Sequence, residues 1–279
     1  MKYLLLVISV LVLFSCSTRE TDRDLYDVKG KVLHLTIRHY YAEKDDDGNI
    51  VKGEPYYEGE VDQTVTFNEK GFITAGYFYG EADSLDTRME RHYEDGLCIA
   101  ETRYDSKDNI LSEWVWLYDE NDNNIEQIQI LDDASMFPAW KLYYNDKDQL
   151  IARMSYRSPE SPAFDSLYWV LDEKGREIEE YSYRFYGYSG KNTFEYKGNN
   201  DQPSIAYIYD ETDQLTNFLE MEYNKYKHLE KVSNYSPDTT LLASVSFQFE
   251  YDEKGNWIKA IMFYNDEPET YEERTIVYY

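Results

Sequence analysis

Apolar and polar positions alternate along most of this chain. In SVSFQFEYD, Val245, Phe247, Phe249 and Tyr251 fall on one side, and Ser244, Ser246, Gln248 and Glu250 on the other. TRMERHY separates Met89, Arg91 and Tyr93 from Arg88, Glu90 and His92, and AETRYD and EMEYN behave the same way. A period of two marks a strand with one face against a core and the other toward water. A helical period is hard to find beyond Cys16. The pattern predicts an all-β chain.

One recurring phrase punctuates the alternating runs. FNEKGFI, YDSKDNI, YNDKDQL, LDEKGREI, YDETDQL and YDEKGNWIKA are its clearest copies. Aligned on the leading residue, they and their weaker relatives give ten anchors: Phe67, Tyr93, Tyr104, Tyr118, Tyr144, Leu171, Tyr196, Tyr209, Tyr223 and Tyr251. Successive anchors lie near 13 or near 26 residues apart, which fits one strand plus one turn, or two strands with a divergent turn between them. In Asp252-Glu253-Lys254-Gly255 the Asp side chain suits the N–H groups of its own turn, and the Gly suits φ > 0. That combination predicts a type I turn closed by a G1 bulge. Four residues after the anchors stand Gly, Asp or Asn, with Leu97 and Lys227 as exceptions and Gly96 as the substitute for the first. The count of turns implies a long antiparallel meander of roughly 16 to 19 hairpin-linked strands. A flat sheet of that width is disfavoured, so a twisted sheet curled into an open barrel-like or two-layered body is expected.

The beginning of the chain reads differently. Residues 1–16, MKYLLLVISVLVLFSC, pair one Lys with an apolar run too short to span a bilayer, as an export signal does. Leu13-Phe14-Ser15-Cys16 resembles the lipobox of bacterial lipoproteins, and the resemblance implies acylation at Cys16. Residues 17–28 read as a polar tether and 29–279 as a single β-repeat domain. Cys98 is then left without a disulfide partner and is expected to behave as a small buried apolar residue. The expected location is the bacterial envelope, as an outer-membrane lipoprotein facing the periplasm or the surface, and the membrane is a partner through the lipid anchor.

Strands punctuated by Y-D-x-x-G-x resemble the YD repeats of RHS-type proteins. Over about residues 30 to 279 the chain is similar to the secreted YD-repeat-like lipoproteins of the Bacteroidetes group. The resemblance implies the strand-and-turn architecture and carries over no catalytic residue. RHS repeats usually have an additional upstream Gly that is missing here, and their large shells need more chain than this one offers.

Composition narrows the chemistry. A formal net charge of −27 opposes nucleic acid and anionic lipid as partners. The histidines at 34, 39, 92 and 228 lack zinc-site spacing, with His92 read as a solvated surface residue. The oxygen-rich turns at 45–49 and 119–123 miss the EF-hand register and fit Asx-rich hairpin tips. Neither a nucleophile elbow nor a phosphate loop occurs, so no catalytic residue, metal or cofactor is assigned and a non-enzymatic role is expected. A membrane-spanning barrel is disfavoured because charges such as Arg88 and Arg91 fall on both strand faces. Aromatic residues remain. Trp114, Trp116, Trp140, Tyr168 and Trp169 are candidate binding residues, with burial in a core or in cross-strand ladders as the alternative. The expected function is a protein- or glycan-binding or scaffolding surface. An immunity-type protein that binds a basic toxin, or a carbohydrate hydrolase, stands as the alternative. Oligomeric state is open.

Overall fold

The computed structural model describes residues 21–56, 62–80, 84–131, 135–158, 161–185 and 187–279; the leader and Cys16 lie outside them. A single helical turn, α1 (Asp22–Leu25), precedes nineteen strands. The first five are β1 (Val32–Lys44), β2 (Ile50–Pro55), β3 (Asp62–Phe67), β4 (Ile73–Tyr79) and β5 (Leu85–Glu94). Next come β6 (Leu97–Asp105), β7 (Ile110–Tyr118), β8 (Asn124–Ile130), β9 (Met136–Tyr144) and β10 (Leu150–Ser155). The third group is β11 (Asp165–Leu171), β12 (Glu177–Arg184), β13 (Gly187–Glu195), β14 (Ile205–Tyr209) and β15 (Leu215–Tyr223). The chain finishes with β16 (Leu229–Tyr235), β17 (Leu241–Tyr251), β18 (Trp257–Tyr264) and β19 (Glu267–Tyr278).

Each strand from β3 onward pairs antiparallel with its successor. The sheet then closes. β1 pairs with β19 from Val32↔Tyr278 to Tyr41↔Thr270, and with β3 from His34↔Thr66 to Ile37↔Gln63. β2 pairs with the far end of β1, and it shares one lane with β3, so the ring has eighteen lanes. The sequence left open whether the curled sheet would close. It closes because β1 is long enough to meet β19 on one edge while β2 and β3 fill the other.

Corners follow the expected chemistry. Asp252 Oδ1 accepts from the N–H groups of Lys254 and Asn256, both at 2.9 Å, while Gly255 N–H donates to the Asp252 carbonyl at 3.1 Å. Gly255 adopts φ +79°. The same bonds recur at Asn68, Asp105, Asp119, Asn145, Asp172, Asp210 and Asn224. Lys227 adopts φ +69° despite its side chain, because the Asn224 cage outweighs its own preference. Leu97 does not; Asp95 and Gly96 form a tighter turn instead. At Asn200 the expectation fails, since Gly198 takes the positive φ in a longer connection. Gly48 and Thr239 add two such corners that the ten anchors did not include.

Eight of the ten anchors, all but Tyr104 and Tyr209, end strands at one rim of the barrel, where β1 begins. The spacing near 26 is therefore one trip up the wall and back. We call this the lower rim.

Thr21–Lys31 lies against one face of the wall at the lower rim. Asp22 accepts from Arg91 Nη1 at 2.7 Å and from the Tyr93 hydroxyl at 2.6 Å, both on β5. Asp27 pairs with His228 at the β15–β16 corner. Between β5 and β16 there are seven lane spacings, about 34 Å of wall. The five residue steps from Asp22 to Asp27 span at most about 18 Å. Such a segment cannot follow the convex side; it crosses the concave side as a chord. The face it touches is the inside of the barrel.

Registers carry this face round the ring. Inside it are Leu35, Ile37, Val65, Phe67 and Met89, which form a dry core with Val28 beneath the crossing segment. Ala206, Leu219, Met221 and Val232 form a second apolar patch on the same face. The expected split of TRMERHY and SVSFQFEYD is found, with Met89, Arg91, Val245 and Phe247 inward. Outward-facing positions carry Arg88, Glu113, Lys141, Glu220, Lys231 and Lys259. An uncharged band about 25 Å tall, which lipid requires of a spanning barrel, is not what this outer wall presents.

Candidate functional site

Eighteen strands enclose more space than their own side chains fill. The inner wall is where the indole rings gather. All five tryptophans of the chain point inward.

Three of them meet. Trp114 and Trp116 lie two residues apart on β7, opposite Gln129 and Gln127 of β8. Gln127 in turn opposes Trp140 of β9, where a bulge between Gln127 and Ile128 sets the register. The rings of Trp114 and Trp140 lie 6.2 Å apart at 35°. Trp140 remains 40% exposed, although it faces the lumen. Gln127 Nε2 donates to Asn124 Oδ1 at 3.0 Å, which orients its amide along the wall. The guanidinium of Arg153, on β10, lies 5.9 Å from the Trp140 ring centre.

The other candidates separate. Trp169 is buried, and its Nε1 donates to Glu180 Oε2 at 3.1 Å. Tyr168, its chain neighbour, faces outward against Tyr183 with ring centres 5.5 Å apart, as alternation along β11 requires. Trp257 is buried beneath the Arg274 guanidinium, 3.3 Å from its ring centre. Sequence reasoning missed Gln127, Gln129 and Arg153. Their parity along β8 and β10 was legible, but the bulged pairing that brings β9 alongside was not.

A carboxyl pair lies further round the wall. Glu180 accepts from Trp169 and, at 2.9 Å, from Asn192 Nδ2. Burial, with the neighbouring Glu180 second, pushes the Glu177 carboxyl up to about 8.

The oxygen-rich turns use their oxygens internally. Asp45 Oδ1 accepts from the N–H groups of Asp47 and Asn49, and Asp119 Oδ1 from those of Asn121 and Asn123. Among the described residues no three His, Cys, Asp or Glu side chains converge as metal ligands do. His92 is exposed on the outer wall. Cys98 is half-buried rather than buried, its thiol 3.7 Å from the Ala100 carbonyl, and desolvation raises it to about 11.

No protein-family model matches the chain. No curated protein matches it either. Among solved structures it is similar to a porin-like protein from Bacteroides uniformis, at 9% identity and a TM-score of 0.46, over 88% of this chain and 98% of that one. A porin-like protein from Bacteroides vulgatus matches at 12% identity and a TM-score of 0.22, over 90% and 99% of the two chains. The Tc holotoxin pore of Photorhabdus luminescens matches at 12% identity and a TM-score of 0.35, over 82% of this chain but only 14% of that one. Likenesses this distant leave the function to be read from the chain's own residues.

Proposed function

We propose that the chain is a lipid-anchored, non-enzymatic envelope protein whose β-repeat barrel binds a glycan on its inner wall. The observation that carries this reading is Trp140, exposed toward the lumen beside Trp114, with the Gln127 and Gln129 amides between their strands. Aromatic faces suit the apolar faces of sugar rings, and neighbouring amides suit their hydroxyls. The charged outer wall fits a body held outside the bilayer by a lipid at Cys16. The resemblance to YD-repeat-like lipoproteins agrees with the repeat architecture and the lipid anchor.

Titration with a panel of oligosaccharides, followed by tryptophan fluorescence, tests the reading. Binding is expected to quench or shift the emission, to be insensitive to salt for neutral saccharides, and to weaken at least tenfold in Trp140→Ala. Absence of binding across the panel, or an unaffected Trp140→Ala, overturns it. The acidic corners Asp45-Asp46-Asp47 and Asp210-Glu211, at the upper rim, favour a second reading, a basic protein partner. That interaction would weaken steeply as ionic strength rises.

A further inference from the structure

Arginines in this acidic chain are mostly neutralised. Arg91 pairs with Asp22 at 2.7 Å and Glu101 at 2.8 Å, Arg176 with Asp172 at 2.7 Å, and Arg103 with Glu101 at 2.7 Å. Arg88 reaches Asp108 at 3.0 Å, and Arg274 lies 3.7 Å from Glu272. Arg153, like Arg157 and Arg184, is not: among the described residues it has no carboxylate within ion-pair distance and no side-chain hydrogen bond, and of these three it is the one that lies beside an indole, the Trp140 ring.

Its position gives that difference meaning. Arg153 opposes Leu142 on one side and Leu167 on the other, so apolar neighbours flank it on the inner wall. Of the nearby carboxylates, Asp165 shares the inner face one pair along, opposite Ser155, and lies beyond ion-pair distance of Arg153, while two others are engaged elsewhere. Glu126 faces outward, 3.5 Å from Lys141, and Glu180 accepts from Trp169 and Asn192. Five N–H donors in a planar fork are thus held at the edge of an aromatic site with no side-chain hydrogen bond among the described residues. A guanidinium of that kind matches a carboxylate bidentately.

We propose that the inner-wall site selects an acidic saccharide, one carrying a uronate carboxylate. The uronate ring stacks on Trp140 while Arg153 receives its carboxylate. This inference rests on the glycan reading and adds the charge of the ligand. The net charge of −27 opposes an anionic ligand at long range. That field is screened within about 8 Å at physiological ionic strength, whereas the fork acts at contact.

The test compares oligomers of galacturonate, glucuronate, mannuronate and guluronate with their methyl esters, which remove the charge and keep the rings. Wild-type protein is expected to bind at least one acid form about ten- to a hundredfold more tightly than its ester. Arg153→Gln should erase that preference while still binding the ester, and Arg153→Lys should restore part of it. Trp140→Ala should lose acid and ester alike. Equal binding of acid and ester by wild type, an intact preference in Arg153→Gln, or binding of neutral glycans alone overturns the proposal. In the last case the glycan reading survives without it. Binding of nothing in the panel overturns both. Thermal melts of each variant show whether the barrel is intact.

Discussion

The Tyr144 hydroxyl donates to the main-chain oxygen of Asn124, 2.9 Å away and one hairpin back. Tyr118 does the same to Cys98 at 2.8 Å, and Tyr196 to Glu177 at 2.6 Å. In these three copies the tyrosine that opens the phrase ties its hairpin to the one before. Losing one such bond leaves a partly buried carbonyl without its partner. Tyr144→Phe is expected to cost about 1 kcal/mol in urea denaturation. Tyr143→Phe, on the outer wall, should stay within about 0.5 kcal/mol.

Corner substitutions are expected to have opposite signs. Gly255 at φ +79° has no Cβ to strain, and Gly255→Ala should destabilise by about 1 kcal/mol. Lys227 stands at φ +69° with only an exposed ion pair to Asp201, so Lys227→Gly should stabilise by up to about 1 kcal/mol. Shifts of the urea midpoint in the same direction for both would refute the corner account.

Asn256 holds the crossing segment. It accepts from Lys29 N–H at 2.6 Å, donates to the Lys29 carbonyl at 3.1 Å, and reaches the Tyr278 hydroxyl at 2.7 Å. Asn256→Ala removes all three bonds from a buried site. Faster hydrogen exchange over residues 21–31 is expected, along with earlier tryptic cleavage there, while the β-sheet circular dichroism signal persists.

Glu177 should make stability fall as pH rises. Its folded-state affinity for a proton exceeds that of the unfolded chain, from an ordinary value of 4.5 to about 8. Its contribution is fully present below about pH 4.5 and is lost as pH rises through about 8. Urea midpoints measured at pH 5 and pH 8.5 should differ by at most about 4 kcal/mol of stability for this group. In Glu177→Gln that part of the difference should vanish.

Much of this was written locally. An Asp or Asn followed three residues later by Gly, Asp or Asn marks a corner because both positions satisfy the backbone on the spot. The face of each residue in β5 and β17 follows from alternation alone. What stayed hidden depended on partners distant in sequence. Ser236 and Thr239 build a corner whose residues are weaker signals than Asx and Gly. Closure depends on β1 meeting β19 across the whole chain. Trp114 and Trp116 were readable as sharing a side, but the contact of Trp114 with Trp140 needed the extra residue, Ala139, in β9. Tyr168 and Trp169 were grouped by proximity, although neighbours in a strand must part company.

The recurring unit, a hairpin of about 26 residues, also constrains how such a protein can change in gauge. One more unit adds two lanes and about 10 Å of girth, and leaves the inward-facing indoles pointing inward. A single added lane would force β1 and β19 to run the same way at the seam. Relatives of this chain should therefore differ in girth by paired steps.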